Sequence, residues 1–167
     1  MKSQKHIVRP AVDADATDIA CIYNHYIQHT TATFEIHPVT PDVMLGRIRE
    51  VQSAGLPWLI AEHDDGIAGY AYAAKWKERL AYRHTVEVSA YVRKEQSGVG
   101  AGSALYTELF RLLEDSGFHT VLGGITLPND ASIAFHEKFG MKHVARFREV
   151  GYKHGRWIDI GYWQRIL

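Results

Sequence analysis

Glycines alternate in the run Gly98-Val99-Gly100-Ala101-Gly102-Ser103, a pattern suited to holding a phosphate. The run follows the strand-like segment Thr85-Val-Glu-Val-Ser-Ala-Tyr-Val92. It leads into Ala104-Leu-Tyr-Thr-Glu-Leu-Phe-Arg-Leu-Leu113, which has the apolar period of a helix. Glycines allow close backbone approach to an anion, and a helix's first turn offers N–H groups that lack an intrahelical acceptor. The strand carries a second reactive group. Val86, Val88 and Val92 point one way, so Glu87 points the other, towards a candidate cleft. A carboxyl among Thr85, Val86 and Val88 loses hydration and gains proton affinity, as a general base at neutral pH requires. The alternative is a structural carboxylate paired with Arg83 or a neighbouring strand. For the glycines, the alternative is a tight turn with no ligand.

Elements to position these groups are legible along the chain. A strand is predicted over 6–9, followed by a helix through Ile19, Ile22, Tyr23, Tyr26 and Ile27 that Asp13 or Asp15 caps. Residues 30–39 have no period and read as a loop. Thr40-Pro41 is a cap followed by proline at the first helical position, so a second helix runs to Ala54 and stops at Gly55. Residues 58–63, the turn Asp64-Asp-Gly66 and residues 67–76 read as a hairpin. Gly117 ends the helix after the glycine run, and residues 119–125 are strand-like. Asn129 or Asp130 caps a short helix through Ile133, Phe135 and Phe139 that Gly140 terminates. Strands over 144–150 and 157–163 close the sheet, with residues 151–155 turning between them. The order β-α-α-β-β-β-α-β-α-β-β is that of a mixed α/β (α+β) domain, not a doubly wound one.

With 167 residues the chain reads as one domain, 1–167, with a sizeable core. Zero formal net charge argues against a nucleic-acid groove or a membrane-surface patch. One cysteine, Cys21, precludes an intrachain disulfide; on the apolar stripe of the first helix it reads as core and not as a nucleophile. The first ten residues lack the apolar segment of a signal peptide, and no stretch is long enough to span a bilayer, so a cytoplasmic protein is expected. His25 and His29 are spaced as a helical pair, but no third ligand or His-Glu-x-x-His motif accompanies them; no metal is expected.

No Gly-Lys-Ser/Thr follows the glycines, which disfavours a nucleoside-triphosphate loop, and their place past the midpoint disfavours a dinucleotide fold. The chain resembles the GNAT acyltransferase superfamily and, within it, the phosphinothricin / methionine sulfoximine (methionine sulfone) N-acetyltransferases. The resemblance covers nearly the whole length. It rests on Ile22-Tyr-Asn-His25, Thr30-Thr-Ala-Thr-Phe-Glu35, Thr85-Val-Glu87, Tyr91-Val92 and the glycine run through Tyr106. It rests also on Leu127-Pro-Asn-Asp130, Ser132-Ile-Ala-Phe-His-Glu-Lys-Phe-Gly140 and the tail Gly151-Tyr-Lys-His-Gly-Arg-Trp-Ile-Asp-Ile-Gly-Tyr-Trp163. The glycine run is common to the superfamily; the 30–35 loop, His136 and the tail point to the subfamily. One departure stands out. The Gln or Arg usual three residues before the first key glycine, Gly100, is Ser97 here, with Gln96 one residue earlier.

The resemblance implies a GNAT fold, a central mixed twisted sheet flanked by helices, and acetyl-CoA as cofactor. Its pyrophosphate would lie over the loop of Ser97, Gly98, Val99, Gly100, Ala101, Gly102 and Ser103, with the pantetheine arm along Tyr91 and Val92 between two splaying strands. The backbone N–H at Ser89 or Ala90 would donate to the thioester oxygen as negative charge builds. Asn129 and Ser132 would contact the cofactor, although Asn129 also reads as a plain helix cap. Glu87 would remove the proton from the acceptor amine. His136 is the second candidate, as auxiliary base or as acid for the departing thiolate; the ordinary reading is a packed core histidine.

The implied acceptor is a small amino acid with a carboxylate and a tetrahedral head. Lys77, Arg79 and Arg83 precede Glu87 and suit anions, Arg through its planar fork; resemblance favours Lys77 and Arg83. Thr31, Thr33, Phe34 and Glu35 would wall the acceptor. Lys153, His154 and Trp157 would line the same pocket or the dimer interface, since members are commonly homodimers. The alternatives are a GNAT enzyme for a protein N-terminus, a polyamine or an aminoglycoside, or a non-catalytic acetyl-CoA-binding protein. The basic segment before Glu87 favours a small anionic acceptor, and the glutamate itself favours catalysis.

Overall fold

The computed structural model of the protein describes residues 6–167. In chain order the elements are β1 (Ile7–Pro10), α1 (Ala16–His29), α2 (Pro41–Ser53), β2 (Trp58–His63), β3 (Gly66–Lys75), β4 (Thr85–Val92) and α3 (Ala101–Asp115). They continue with β5 (Thr120–Leu127), α4 (Asp130–Lys138), β6 (Lys142–Lys153) and β7 (Arg156–Ile166). The order expected from sequence is the one observed. The hydrogen-bonded strand order is β1-β2-β3-β4-β5-β7-β6, a mixed sheet in which β4 and β5 run parallel. Among the described residues no helix is long and apolar enough to cross a membrane. Two compact units divide the chain: residues 6–24, 39–74 and 88–117, and residues 25–38, 75–87 and 118–167.

In the first unit β2 pairs antiparallel with β1 and with β3, and α3 packs on β2 and β1. The reason lies in α3: Leu105, Tyr106, Leu109, Phe110 and Leu113 form a helical stripe and are all buried. Burying each large apolar side chain contributes about 1.5–3 kcal/mol. Thr40 caps α2, its Oγ1 accepting from the Val43 N–H at 3.3 Å, and Gly55 leaves the helix at φ 73°. The start of α1 departs from expectation. A 3-10 turn over Asp13–Asp15 precedes it, and Asp15 bonds back to the Val12 N–H at 2.8 Å while gripping Arg9 at 2.7 and 2.8 Å. Cys21 is exposed, not core. At about 100° per residue, Ala16, Ile19, Ala20, Ile22 and Tyr23 share one arc, and Cys21 points away from it.

In the second unit the first half of β4 lies parallel to β5, Thr85–Glu87 opposite Thr120–Leu122, and this ladder ends at Glu87. On its other side β5 pairs with β7 from Thr120↔Ile166 to Leu127↔Asp159. Asn129 caps α4 by accepting from the Ser132 N–H at 3.1 Å. The last hairpin is longer than its sequence suggests. The strands reach Lys153 and Arg156, leaving His154 and Gly155 as a two-residue turn with φ 49° and 74°. Gly151 is therefore a strand residue and not part of the turn. A register shift between Phe147 and Gly151, with Glu149 at φ 52°, marks a bulge in β6.

Removal of the Asp15 carboxylate, Asp15→Ala, should cost on the order of 2 kcal/mol, since hydrogen bonds to charged groups are worth roughly 1.5–3. Arg9 holds the folded-state pKa of Asp15 below its ordinary value. The contribution is therefore complete above the unfolded pKa of about 3.9 and fades as pH falls through the folded one. Urea denaturation of both proteins at pH 7 and pH 3 checks this: the difference should shrink at the lower pH.

Candidate active site

The glycine run, the candidate anion cradle, belongs to the first unit. Gly98 and Gly100 take φ 79° and 100°, conformations that glycine adopts without strain, and nothing lies within 4 Å of where either Cβ would stand. Gly100 is the N-cap, so α3 begins at Ala101 instead of Ala104. Half of the glycine run is thus the helix's first turn, and that turn has no acidic residue. The Val99 carbonyl accepts a hydrogen bond from His6 Nε2 at 3.2 Å, which engages the loop's acceptor side. Open glycines, a helix dipole and the absence of nearby carboxylates on that turn together fit a diphosphate. Ser97 is exposed and closes a 3-10 turn by donating its N–H to the Lys94 carbonyl at 3.2 Å; Gln96 is half-buried beside it. Ser89, Tyr91 and Val92 are half-buried on β4. The Tyr91 ring meets Tyr23 edge-on at 5.1 Å, and its carbonyl lies 2.7 Å from where a Cβ on Gly69 would stand.

The candidate base stands in the second unit. A Cβ on Gly124 would come within 3.0 Å of Glu87 Oε1 and 3.5 Å of the Tyr162 ring. The missing side chain therefore makes a notch over β5 that these two groups share, and Gly124 itself is exposed. Burial pushes the Glu87 carboxyl above its ordinary pKa, with the Lys77 charge opposing. Burial, then the Glu87 charge, raises the Tyr162 phenol. Lys77, and not Arg83, is the cation acting on Glu87. Arg83 is exposed and donates to the Leu80 carbonyl at 3.4 Å, and Arg79 is exposed at the head of the same 3-10 turn. Lys77 is exposed too, its ammonium 5.1 Å from the centre of the Trp76 ring.

His136 is buried on α4. Its Nδ1 lies 2.8 Å from the Ser132 carbonyl, which can only accept, so Nδ1 carries the proton. A Cβ on Gly123 would come within 2.9 Å of Nε2. Burial lowers the imidazole pKa, against the Ser132 hydrogen bond, and leaves the ring neutral at pH 7. Gly123 and Gly124 are successive strand residues whose Cβ directions oppose each other. His136 and Glu87 accordingly stand on opposite faces of β5.

Residues 30–35 are held from β6. Lys153 is buried, and its Nζ donates to the Thr33 carbonyl at 2.8 Å. His154 Nε2 donates to the Thr30 carbonyl at 3.2 Å, and the Phe34 ring occupies the space that a Cβ on Gly151 would need. Thr31, Phe34 and Glu35 are half-buried. Trp157 stands apart: it is exposed near the hairpin tip with its ring on Tyr152 at 5.0 Å. Sequence reasoning missed Tyr162 and Gly124. The doublet Gly123-Gly124 inside a strand was the available signal, because interior strand glycines mark close approach.

A family model described as an acetyltransferase (GNAT) domain matches residues 8–161. The chain is 43% identical to a phosphinothricin N-acetyltransferase from Streptomyces viridochromogenes, over 95% of this chain and 86% of that one. It is 35% identical to an L-methionine sulfoximine/L-methionine sulfone acetyltransferase from Salmonella typhimurium, over 96% and 94%. Among solved structures it superposes with TM-score 0.94 on a GNAT phosphinothricin acetyltransferase from Sinorhizobium meliloti in complex with AcCoA. That match covers 97% and 88% of the two chains at 35% identity. The fold, the glycine cradle and this likeness define an acetyl-CoA-dependent acetyltransferase. The chain belongs to the GNAT acetyltransferase family.

Because a methyl at position 124 would press on Glu87 Oε1 at 3.0 Å while meeting the Tyr162 ring at an ordinary 3.5 Å, Gly124→Ala should push the carboxylate aside by a few tenths of an ångström. A shift of about 1 Å at a reacting group costs roughly 100-fold, so this smaller one should cost on the order of several-fold. Acetyl-transfer assays should show a kcat/KM loss of that order, with the melting temperature within a few degrees of wild type.

Proposed function

We propose that the protein, as a single catalytic domain, transfers the acetyl group of acetyl-CoA to the α-amine of a small amino-acid-like acceptor. The acceptors meant are phosphinothricin, methionine sulfoximine and methionine sulfone. The observation that carries the reading is a carboxyl of raised proton affinity at an open notch, Glu87 over Gly124. The names of the relatives supply the acceptor class. The exposed cations at 77, 79 and 83 favour an anionic acceptor over a polyamine or an aminoglycoside.

Acetyl-CoA, when bound, supplies an acetyl group already activated as a thioester. Backbone N–H groups from Val99 to Ser103 hold its diphosphate, aided by the α3 dipole, while Ser97 is too short to replace a guanidinium or amide contact. The backbone N–H at Ser89 or Ala90 donates to the carbonyl oxygen that becomes negative. Tyr91 and Val92 flank the pantetheine arm. Asn129 and Ser132 serve the cofactor alongside the cap hydrogen bond they form with each other.

An α-ammonium cannot attack a thioester. Glu87 takes one of its protons, and its elevated pKa reduces the mismatch between the two groups. His136, neutral and on the opposite face of β5, does not compete for that proton. Its burial also disfavours the cationic form that an acid for the thiolate would need. Lys77, with Arg79 and Arg83 in the same segment, attracts the acceptor's anionic groups; Thr31, Phe34 and Glu35 close around its side chain.

We assign the protein to the cytoplasm, where acetyl-CoA is made, and to a homodimer. The outer strand β6 supports the dimer: Val144, Phe147, Val150 and Tyr152 are exposed on it, an apolar edge that a second copy would cover. Trp157 extends that edge. Turnover of phosphinothricin would make the protein a determinant of resistance to that herbicide.

Free-thiol release from acetyl-CoA should be stimulated by the three named acceptors far more than by spermidine or an aminoglycoside; the reverse order would overturn the acceptor assignment. Glu87→Gln should lower kcat by at least about 100-fold with acetyl-CoA binding by calorimetry retained. In wild type, kcat/KM should rise with pH through an apparent pKa above the usual carboxylate value of about 4.3, since the ionised form is the base. That acidic limb should vanish in the variant.

A further inference from the structure

On β6 the residues before the hairpin turn are almost all exposed; Gly151 and Lys153 alone among the residues of this strand are buried. They are two apart and so share a face, and both meet the 30–35 segment. The bulge between Phe147 and Gly151 sets this register, since a one-residue slip would turn both to the other side. Taking an ammonium out of water is expensive unless it is bonded. Burial lowers the Lys153 pKa and the Glu35 charge opposes that fall, while the ammonium donates to a carbonyl in a loop without regular structure, that of Thr33. The Thr33 carbonyl belongs to no helix or strand, and a buried main-chain acceptor needs a donor. Gly151 supplies the seat of the Phe34 ring.

We propose that Gly151 and Lys153 are positioning residues that template the 30–35 loop, and that Lys153 acts on the acceptor through Thr33 and Phe34 instead of binding its carboxylate. This rests on the reading above that residues 31–35 wall the acceptor. Phe34 thereby becomes a specificity element whose height is set by the absent side chain at 151. His154, through the Thr30 carbonyl, is a third and more exposed tether.

The two roles for Lys153 separate cleanly. Lys153→Met keeps the length and loses the donor; Gly151→Ala keeps every charge and unseats Phe34. Both are compared with wild type on methionine sulfone and on its decarboxylated amine. Templating predicts that either variant raises KM by at least tenfold for both acceptors in equal measure, with KM for acetyl-CoA unchanged. A loss confined to the carboxylate-bearing acceptor in Lys153→Met, with Gly151→Ala unaffected, would overturn the proposal. Hydrogen exchange gives a readout independent of turnover: amides of 30–36 should lose at least tenfold protection in both variants while α3 amides keep theirs. Unchanged exchange at 30–36 would sink the templating. If wild type acetylates no amino-acid acceptor, the functional reading fails alone and exchange still decides the tether.

Discussion

A carboxylate partly withdrawn from water yet reachable from it is a demanding thing to build, because burial and access pull in opposite directions. Here Glu87 meets both demands on a strand. Its neighbours Val86 and Val88 are packed inside, the β4–β5 ladder ends beside it, and the residue next to its carboxylate across that ladder is a glycine. Packing holds the backbone and the missing Cβ of Gly124 gives the side chain its space. Lys77 moderates the rise in proton affinity without a contact that would hold the acid ionised. An ion pair with Arg83, one of the alternatives for this residue, would have lowered the pKa and left it less suited to the base role proposed for it.

Five glycines of this chain, Gly98, Gly100, Gly123, Gly124 and Gly151, show two physical kinds. Gly98 and Gly100 are needed for backbone angles, with open space where a side chain would be. Gly123, Gly124 and Gly151 have strand geometry that any residue can adopt; a Cβ would collide with a neighbour at 123 and 151 and crowd one at 124. Those neighbours are His136, Glu87 with Tyr162, and Phe34. Three of the groups singled out by type or by family resemblance are thus set in place by the absence of a side chain elsewhere. The consequence for mechanism is sharpest at the Gly123-Gly124 pair, whose alternation separates the two titratable groups onto opposite sides of one strand.

Much of the fold was legible before any coordinates. Thr40 and Asn129 announce helix starts, Gly55, Gly117 and Gly140 announce ends, and the α3 stripe announces a buried face. These are local effects, written within a few residues of where they act. The misreadings have non-local causes. Cys21 looks apolar but lies outside the arc that its helix buries, and the tail glycines look like a turn although only Gly155 is one. Gly151 is explained by a phenyl ring more than a hundred residues earlier in the chain, and no pattern around position 151 could reveal it.

By itself the sequence determined the succession of elements, the open glycine loop that suits a phosphate and the residue types that acid–base chemistry could use. Each of these follows from hydrogen-bonding and steric preferences that reach no further than a helical turn. Tertiary structure alone decided which cation acts on Glu87, that Tyr162 shares its notch, that His136 is neutral on the far face of β5, and that Lys153 spends its charge on a backbone carbonyl. Those outcomes depend on desolvation and on distances between residues far apart in the chain, and neither exists until the strands have paired.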